Sequence, residues 1–113
     1  MEAAIQVKKF VKREAKRFMV RYGTSELTKS AFTRNVSETG MCLQTNTVYK
    51  PGTRIQVQFE LEDRTFFMLA RVVWAKTVPS RLVYMSQCGM GICFIEPSIN
   101  WIQYYNKWIK KSF

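Results

Sequence analysis

The stretch Arg54-Ile55-Gln56-Val57-Gln58-Phe59-Glu60-Leu61 alternates polar and apolar side chains without a break, just after the turn signal Pro51-Gly52. A period of two cannot be folded into one face of a helix. It fits a strand with Ile55, Val57, Phe59 and Leu61 on the core side. Further strand-like runs lie on both sides: Arg17 to Tyr22, Thr28 to Thr33, Met41 to Thr45, Thr65 to Lys76, Leu82 to Met85 and Gly89 to Phe94. In the Thr65 run Phe66, Met68, Ala70, Val72 and Trp74 share one face, and Arg71 interrupts the other. Gly23-Thr24-Ser25, Glu62-Asp63-Arg64 and Val78-Pro79-Ser80 mark turns. Turn signals recur roughly every 8 to 12 residues, which favours a small closed barrel or a sandwich over βαβ units.

The two ends differ from this body. After Pro97-Ser98, the residues Trp101, Ile102, Tyr105, Trp108 and Ile109 follow helical spacing, so the spacing predicts a helix over about 98–111 that caps the β body. It ends on Lys107, Lys110 and Lys111, where a helix dipole favours cations. Glu2 to Lys16 contains helix formers but no clean apolar face, and reads as a partly helical or mobile arm.

Chemistry is constrained by what is missing. The chain has no His, so neither a Ser/His/Asp nor a Cys/His constellation can be assembled, and the eight carboxylates lack metal-ligand spacing. A non-enzyme is expected, without a cofactor. Cys42, Cys88 and Cys93 are odd in number and sit in or beside apolar runs, as reduced thiols do. No apolar run reaches the roughly 18 residues of a membrane helix, and no signal-type stretch follows Met1. A cytoplasmic protein without a membrane span is expected.

Charge then points to anions. The net charge is +10 over 113 residues, and Lys8, Lys9, Lys12, Arg13, Lys16, Arg17 and Arg21 cluster against the single Glu14. Such a field attracts phosphates, on a nucleotide, a nucleic acid or a membrane surface, although a solvated basic arm would look the same.

Two motifs narrow this. Arg13-Glu14-Ala15-Lys16-Arg17 fits RxxxR, and downstream Asn35-Val36-Ser37-Glu38-Thr39-Gly40 fits [DN]xSxxG, read here as a polar turn between strands. Each is weak alone. In this order, each followed by a strand-like run and set in a β-rich chain with a terminal helix, they resemble the PilZ family of bacterial cyclic di-GMP receptors, over roughly Lys12 to Lys111.

The resemblance implies a mainly β fold: a small antiparallel PilZ-type barrel of about six strands, with a flexible basic N-terminal arm and a C-terminal α-helix. On that reading residues 1–16 are the arm carrying the start of RxxxR, and residues 17–113 are the barrel with its helix. Arg13 and Arg17 would clasp phosphate and guanine, which suits the bidentate guanidinium fork. Asn35 would bond a guanine edge, Ser37 the periphery of the ligand, and Gly40 would admit close backbone approach. Arg34 is a candidate third cation, and Trp74 lies on a strand that often faces the ligand in this family. Lys12 precedes RxxxR, at a position linked to whether one nucleotide or a stacked pair binds. Position 35 is Asn where the family more often has Asp.

The function expected is a cyclic di-GMP receptor whose arm changes conformation on binding and which signals through a protein partner, in motility, pilus or other signalling. Two alternatives are a basic barrel binding RNA or single-stranded DNA, with nucleic acid the less favoured ligand, and a structural adaptor of a pilus or flagellar assembly.

Overall fold

The computed structural model describes residues 13–77 and 89–109. Six antiparallel strands, β1 (Met19–Gly23), β2 (Lys29–Ser37), β3 (Gly40–Gln44), β4 (Arg54–Leu61), β5 (Arg64–Lys76) and β6 (Gly89–Ile95), close into a barrel in the order β1-β2-β3-β6-β5-β4. A short helix, α1 (Ile99–Tyr104), runs into a π-helical turn over Tyr105–Ile109. The expected strand at Leu82 to Met85, most of the basic arm, Lys12, Cys88, Lys110 and Lys111 lie outside the described residues. No described helix is long and apolar enough to cross a membrane.

The alternation in β4 does what its period requires. Ile55, Val57 and Phe59 point into the barrel, where Val20 and Tyr22 of β1 and Met68, Ala70 and Val72 of β5 meet them. Two turns fix the register. Leu61 pairs with Arg64 across Glu62 and Asp63, whose φ values of 50° and 68° are the left-handed pair that a type I′ hairpin needs. At Pro51-Gly52 the Thr53 N–H donates to the Lys50 carbonyl at 3.2 Å, with Gly52 at φ 94°, the positive value of a type II turn.

The second strand is longer than its composition suggests. Asn35, Val36 and Ser37, expected in a turn, continue β2, and only Glu38-Thr39 form the hairpin loop before Gly40. Asn, Ser and Arg are poor strand formers by propensity, but pairing with β3 outweighs it. The strand accommodates them with a bulge between Thr33 and Asn35 that leaves Arg34 as the extra residue.

The last strands close one end of the barrel around Trp101, which is fully buried. Its ring meets Phe59 and Phe66 edge-on, with centroids 5.2 and 5.3 Å away. Ser98 caps α1, its hydroxyl accepting from the Trp101 N–H at 3.1 Å. The expected apolar face holds at Trp101, Tyr105 and Ile109 and shifts elsewhere. Tyr104 is buried and Trp108 is 44% exposed. Tyr104, three residues after Trp101 in α1, shares its α-helical face, while the wider π turn from Tyr105 rotates Trp108 away from the 3.6-residue spacing.

Candidate functional site

The RxxxR segment lies beside the second motif because β2 binds its backbone. Glu14 and Val36 exchange two main-chain hydrogen bonds, Glu14 N–H to the Val36 carbonyl at 2.7 Å and Val36 N–H to the Glu14 carbonyl at 2.9 Å. Two residues on, the buried Thr33 hydroxyl donates to the Lys16 carbonyl at 2.6 Å and accepts from the Phe18 N–H at 3.0 Å. Arg13 to Phe18 is therefore laid along β2, which fixes which side chain reaches which motif residue.

Arg13 reaches Asn35. Its Nη1 donates to the Asn35 carboxamide oxygen at 3.0 Å, joining an exposed side chain to a half-buried one 22 residues away. Arg34, half-buried at the bulge, lies nearby: burial pushes the Cys42 thiol up, and the positive charges of Arg34 and Arg13 both oppose that shift. Two cations thus converge over β3 beside Asn35.

Arg17 lies apart from them. Its guanidinium carbon sits 4.1 Å from the centroid of the partly exposed Phe32 ring, a cation–π contact on the outer face of β2. Ser37 is 1% exposed. Its hydroxyl accepts from the Thr39 N–H at 3.2 Å and lies 3.5 Å from the Gly40 carbonyl, so it shapes the hairpin and does not face solvent. Gly40 serves a close approach: a Cβ there would stand 2.2 Å from the Ile92 carbonyl oxygen.

Trp74 does not share the face of Phe66, Met68, Ala70 and Val72 that the alternation implied. A bulge between Val72 and Trp74 adds Val73 to β5, reverses the alternation, and leaves Trp74 outside the barrel, 41% exposed. The register then aligns Asn35, Cys42, Gly91 and Trp74 as neighbours across β2, β3, β6 and β5. Gly91 is the residue that admits the indole, since a Cβ there would lie 2.1 Å from Trp74 Nε1.

Trp74 and Gly91 line an open cleft of about 350 Å³, and Arg13, which also lines it, holds Asn35 beside it. Arg13 and Thr39 form one side and Val73 and Trp74 the other, with Gly91, Ile92 and Cys93 of β6 between them. Thr39, Val73 and the β6 residues were not singled out from sequence. The lack of a side chain at Gly91 permits a close approach, and register sets that it is Trp74 that approaches. A guanidinium, a carboxamide and an indole around a strand that lacks a side chain at Gly91 suit a planar, anionic, hydrogen-bonding ligand.

The hairpin is also tied to the tail. Trp101 Nε1 donates to the Glu38 carbonyl at 3.1 Å, and the Tyr105 hydroxyl donates to the Val36 carbonyl at 3.4 Å. Burial, together with the negative charges of Glu14 and Glu38, pushes the Tyr105 phenol up, against an opposing contribution from Arg13.

Comparison with known proteins agrees with this architecture. The PilZ domain family profile matches residues 12–107. Among solved structures, the PilZ domain of CeSA from a cellulose synthesizing bacterium superposes with a TM-score of 0.55 at 16% identity, covering 74% of this chain and 81% of that one. A search of curated proteins finds no match. With 12–107 spanned by the family profile and the six-stranded barrel shared, the chain belongs to the PilZ domain family.

Proposed function

We propose that this chain is a cytoplasmic cyclic di-GMP receptor, not an enzyme, that binds the nucleotide at the cleft between Arg13, Asn35 and Trp74 and passes the signal to a protein partner. PilZ domains generally bind cyclic di-GMP. The observation that carries the reading for this chain is the Arg13–Asn35 hydrogen bond, which joins the two motifs at one mouth of the cleft. Cyclic di-GMP offers two phosphates and two guanines. Arg13 and Arg17 would take phosphate oxygens or the guanine O6/N7 edge, Asn35 a guanine edge, and Trp74 a stacked base. Ser37 and Gly40 would act through the shape of the hairpin. Arg17 would have to leave Phe32 or bring the ligand to it, so binding would rearrange the segment that β2 holds. The ties from Val36 and Glu38 to Tyr105 and Trp101 give that rearrangement a route to α1.

Calorimetry tests this directly. Cyclic di-GMP should bind, GMP and GTP should bind far more weakly, and Arg13→Ala should lose the difference. Equal, steeply salt-dependent binding of all three nucleotides and of oligouridylate would instead indicate a generic anion surface.

A further inference from the structure

On the outer face of β4 and β5, well-defined register sets two arginines against each other. Arg54 and Arg71 are direct partners, and the next outward pairs are Gln56 with Leu69 and Gln58 with Phe67. Like charges placed opposite each other on one sheet face are destabilising. Both arginines are exposed, and neither side chain makes a hydrogen bond or ion pair among the described residues. The outward carboxylate on β4, Glu60, pairs with Thr65 and lies six residues from Arg54, roughly 20 Å along a strand. Beside the arginines, Phe67 is 59% exposed and Leu69 46%. Among the described residues, no carboxylate on this face offsets the two facing cations, and nothing covers the two exposed apolar side chains beside them.

From this face we infer a docking surface for an acidic segment of a partner protein that carries aliphatic side chains. The charge on the face calls for carboxylates, and Leu69 and Phe67 call for apolar contact beside them. The six described strands close on themselves and leave no free edge among them, so a partner meets this part of the barrel through outward side chains of this kind. A single-stranded nucleic acid would need several stacking rings, and among the described residues the stretch paired from Arg54–Arg71 to Gln58–Phe67 presents only the Phe67 ring. The docking face deepens the receptor reading by giving its partner a place. It is tested without nucleotide, so that its failure leaves the cleft untouched.

The experiment is a selection of phage-displayed random peptides on the immobilised protein, with the Arg54→Glu/Arg71→Glu variant and Phe67→Ser as comparisons. Melting curves check that both variants, changed only at exposed positions, remain folded. Enriched peptides should place Asp or Glu beside Leu, Ile or Val, and should bind the charge-reversed variant at least about tenfold more weakly. Phe67→Ser should weaken them as well. No enrichment of acidic over basic peptides, or peptides that bind the folded variants as well as the parent, would overturn the proposal. So would oligouridylate or phosphatidylglycerol vesicles binding through Arg54 and Arg71 when no acidic peptide does.

Discussion

Arg13 and Asn35 are hydrogen-bonded to each other, 3.0 Å from guanidinium to carboxamide oxygen. Because they touch, their contributions to binding should not add. Asn35→Ala should remain folded and lose about 1–3 kcal/mol of cyclic di-GMP affinity, and Arg13→Ala about 1.5–3 kcal/mol. The double variant should lose less than the sum, since each single change already removes the contact that orients the other. Asn35→Asp should keep binding, because Arg13 and the nearby Arg34 offset the added charge. Calorimetry on a double-mutant cycle checks this, and strict additivity would mean that the bond does not organise the site.

Arg17 rests on Phe32, and an exposed cation–π contact is worth only about 0.5–1 kcal/mol. A charge-assisted bond to a ligand exceeds that, so the ligand should win Arg17 from the ring. Arg17→Ala should cost about 1.5–3 kcal/mol of affinity, and Arg17→Lys should recover only part, since an ammonium lacks the planar fork. Unchanged calorimetric affinity for Arg17→Ala would remove this residue from the site.

Trp101 is the largest fully buried side chain, and its indole N–H holds the Glu38 carbonyl of the motif hairpin. Trp101→Ala should destabilise by roughly 3–5 kcal/mol. Ser98→Ala, which removes the cap of the same helix, should cost about 1 kcal/mol. Denaturant melts followed by circular dichroism give both values. The order should hold even if the absolute costs shift, because one change opens a cavity and the other frees a single backbone donor.

Stability should be level around neutral pH and fall in alkali. The chain has no His to titrate in the middle of the range. Burial raises the pKa of Cys42 above its ordinary 9.0, and burial likewise raises Tyr22, Tyr104 and Tyr105 above 10.0. A group whose folded pKa is raised contributes stability that is present in full below the unfolded value and is lost as pH rises through the folded one. The decline should therefore begin above about pH 9 and deepen above 10. Tyr105→Phe should soften it, as read from melting temperatures across the range.

How far the sequence could be read depended on whether parity survived along each strand. In β4 it did, and Ile55, Val57 and Phe59 are buried as the alternation demands. In β5 the same reading holds from Phe66 to Val72 and then fails at Trp74, because one extra residue at Val73 inverts every later side chain. A bulge leaves no mark in hydrophobic periodicity. The segment Asn35 to Ser37 misleads for the opposite reason: polar residues suggest a loop, while pairing with Cys42, Met41 and Gly40 makes a strand.

The site itself was legible as chemistry and only partly as geometry. That RxxxR lies close to the second motif follows from the resemblance. That Arg13 meets Asn35 while Arg17 meets Phe32 depends on the Glu14–Val36 bridge and the Thr33 hydroxyl, which anchor the segment at one particular step along β2. In the tail, the change from α to π at Tyr105 is likewise not written in spacing. It turns Trp108 off the buried face.

Gly40 and Gly91 both admit a close approach, but against different neighbours, and this separates their substitutions. A Cβ on Gly40 would meet the Ile92 carbonyl, which belongs to backbone paired in the barrel and cannot turn aside. Gly40→Ala should cost about 1–3 kcal/mol of stability, as overpacking does. A Cβ on Gly91 would instead meet the Trp74 indole, a partly exposed side chain that can swing outward. Gly91→Ala should therefore cost less stability than Gly40→Ala, while displacing the indole from the cleft wall. In a Trp108→Phe background the remaining tryptophans are Trp74 and the buried Trp101, so iodide quenching reports mainly on Trp74. Gly91→Ala should increase that quenching and weaken cyclic di-GMP binding by about 1–3 kcal/mol, the value of a base stacked on an aromatic ring. Increased quenching with parental affinity would show that the indole had moved and that the ligand had not been resting on it.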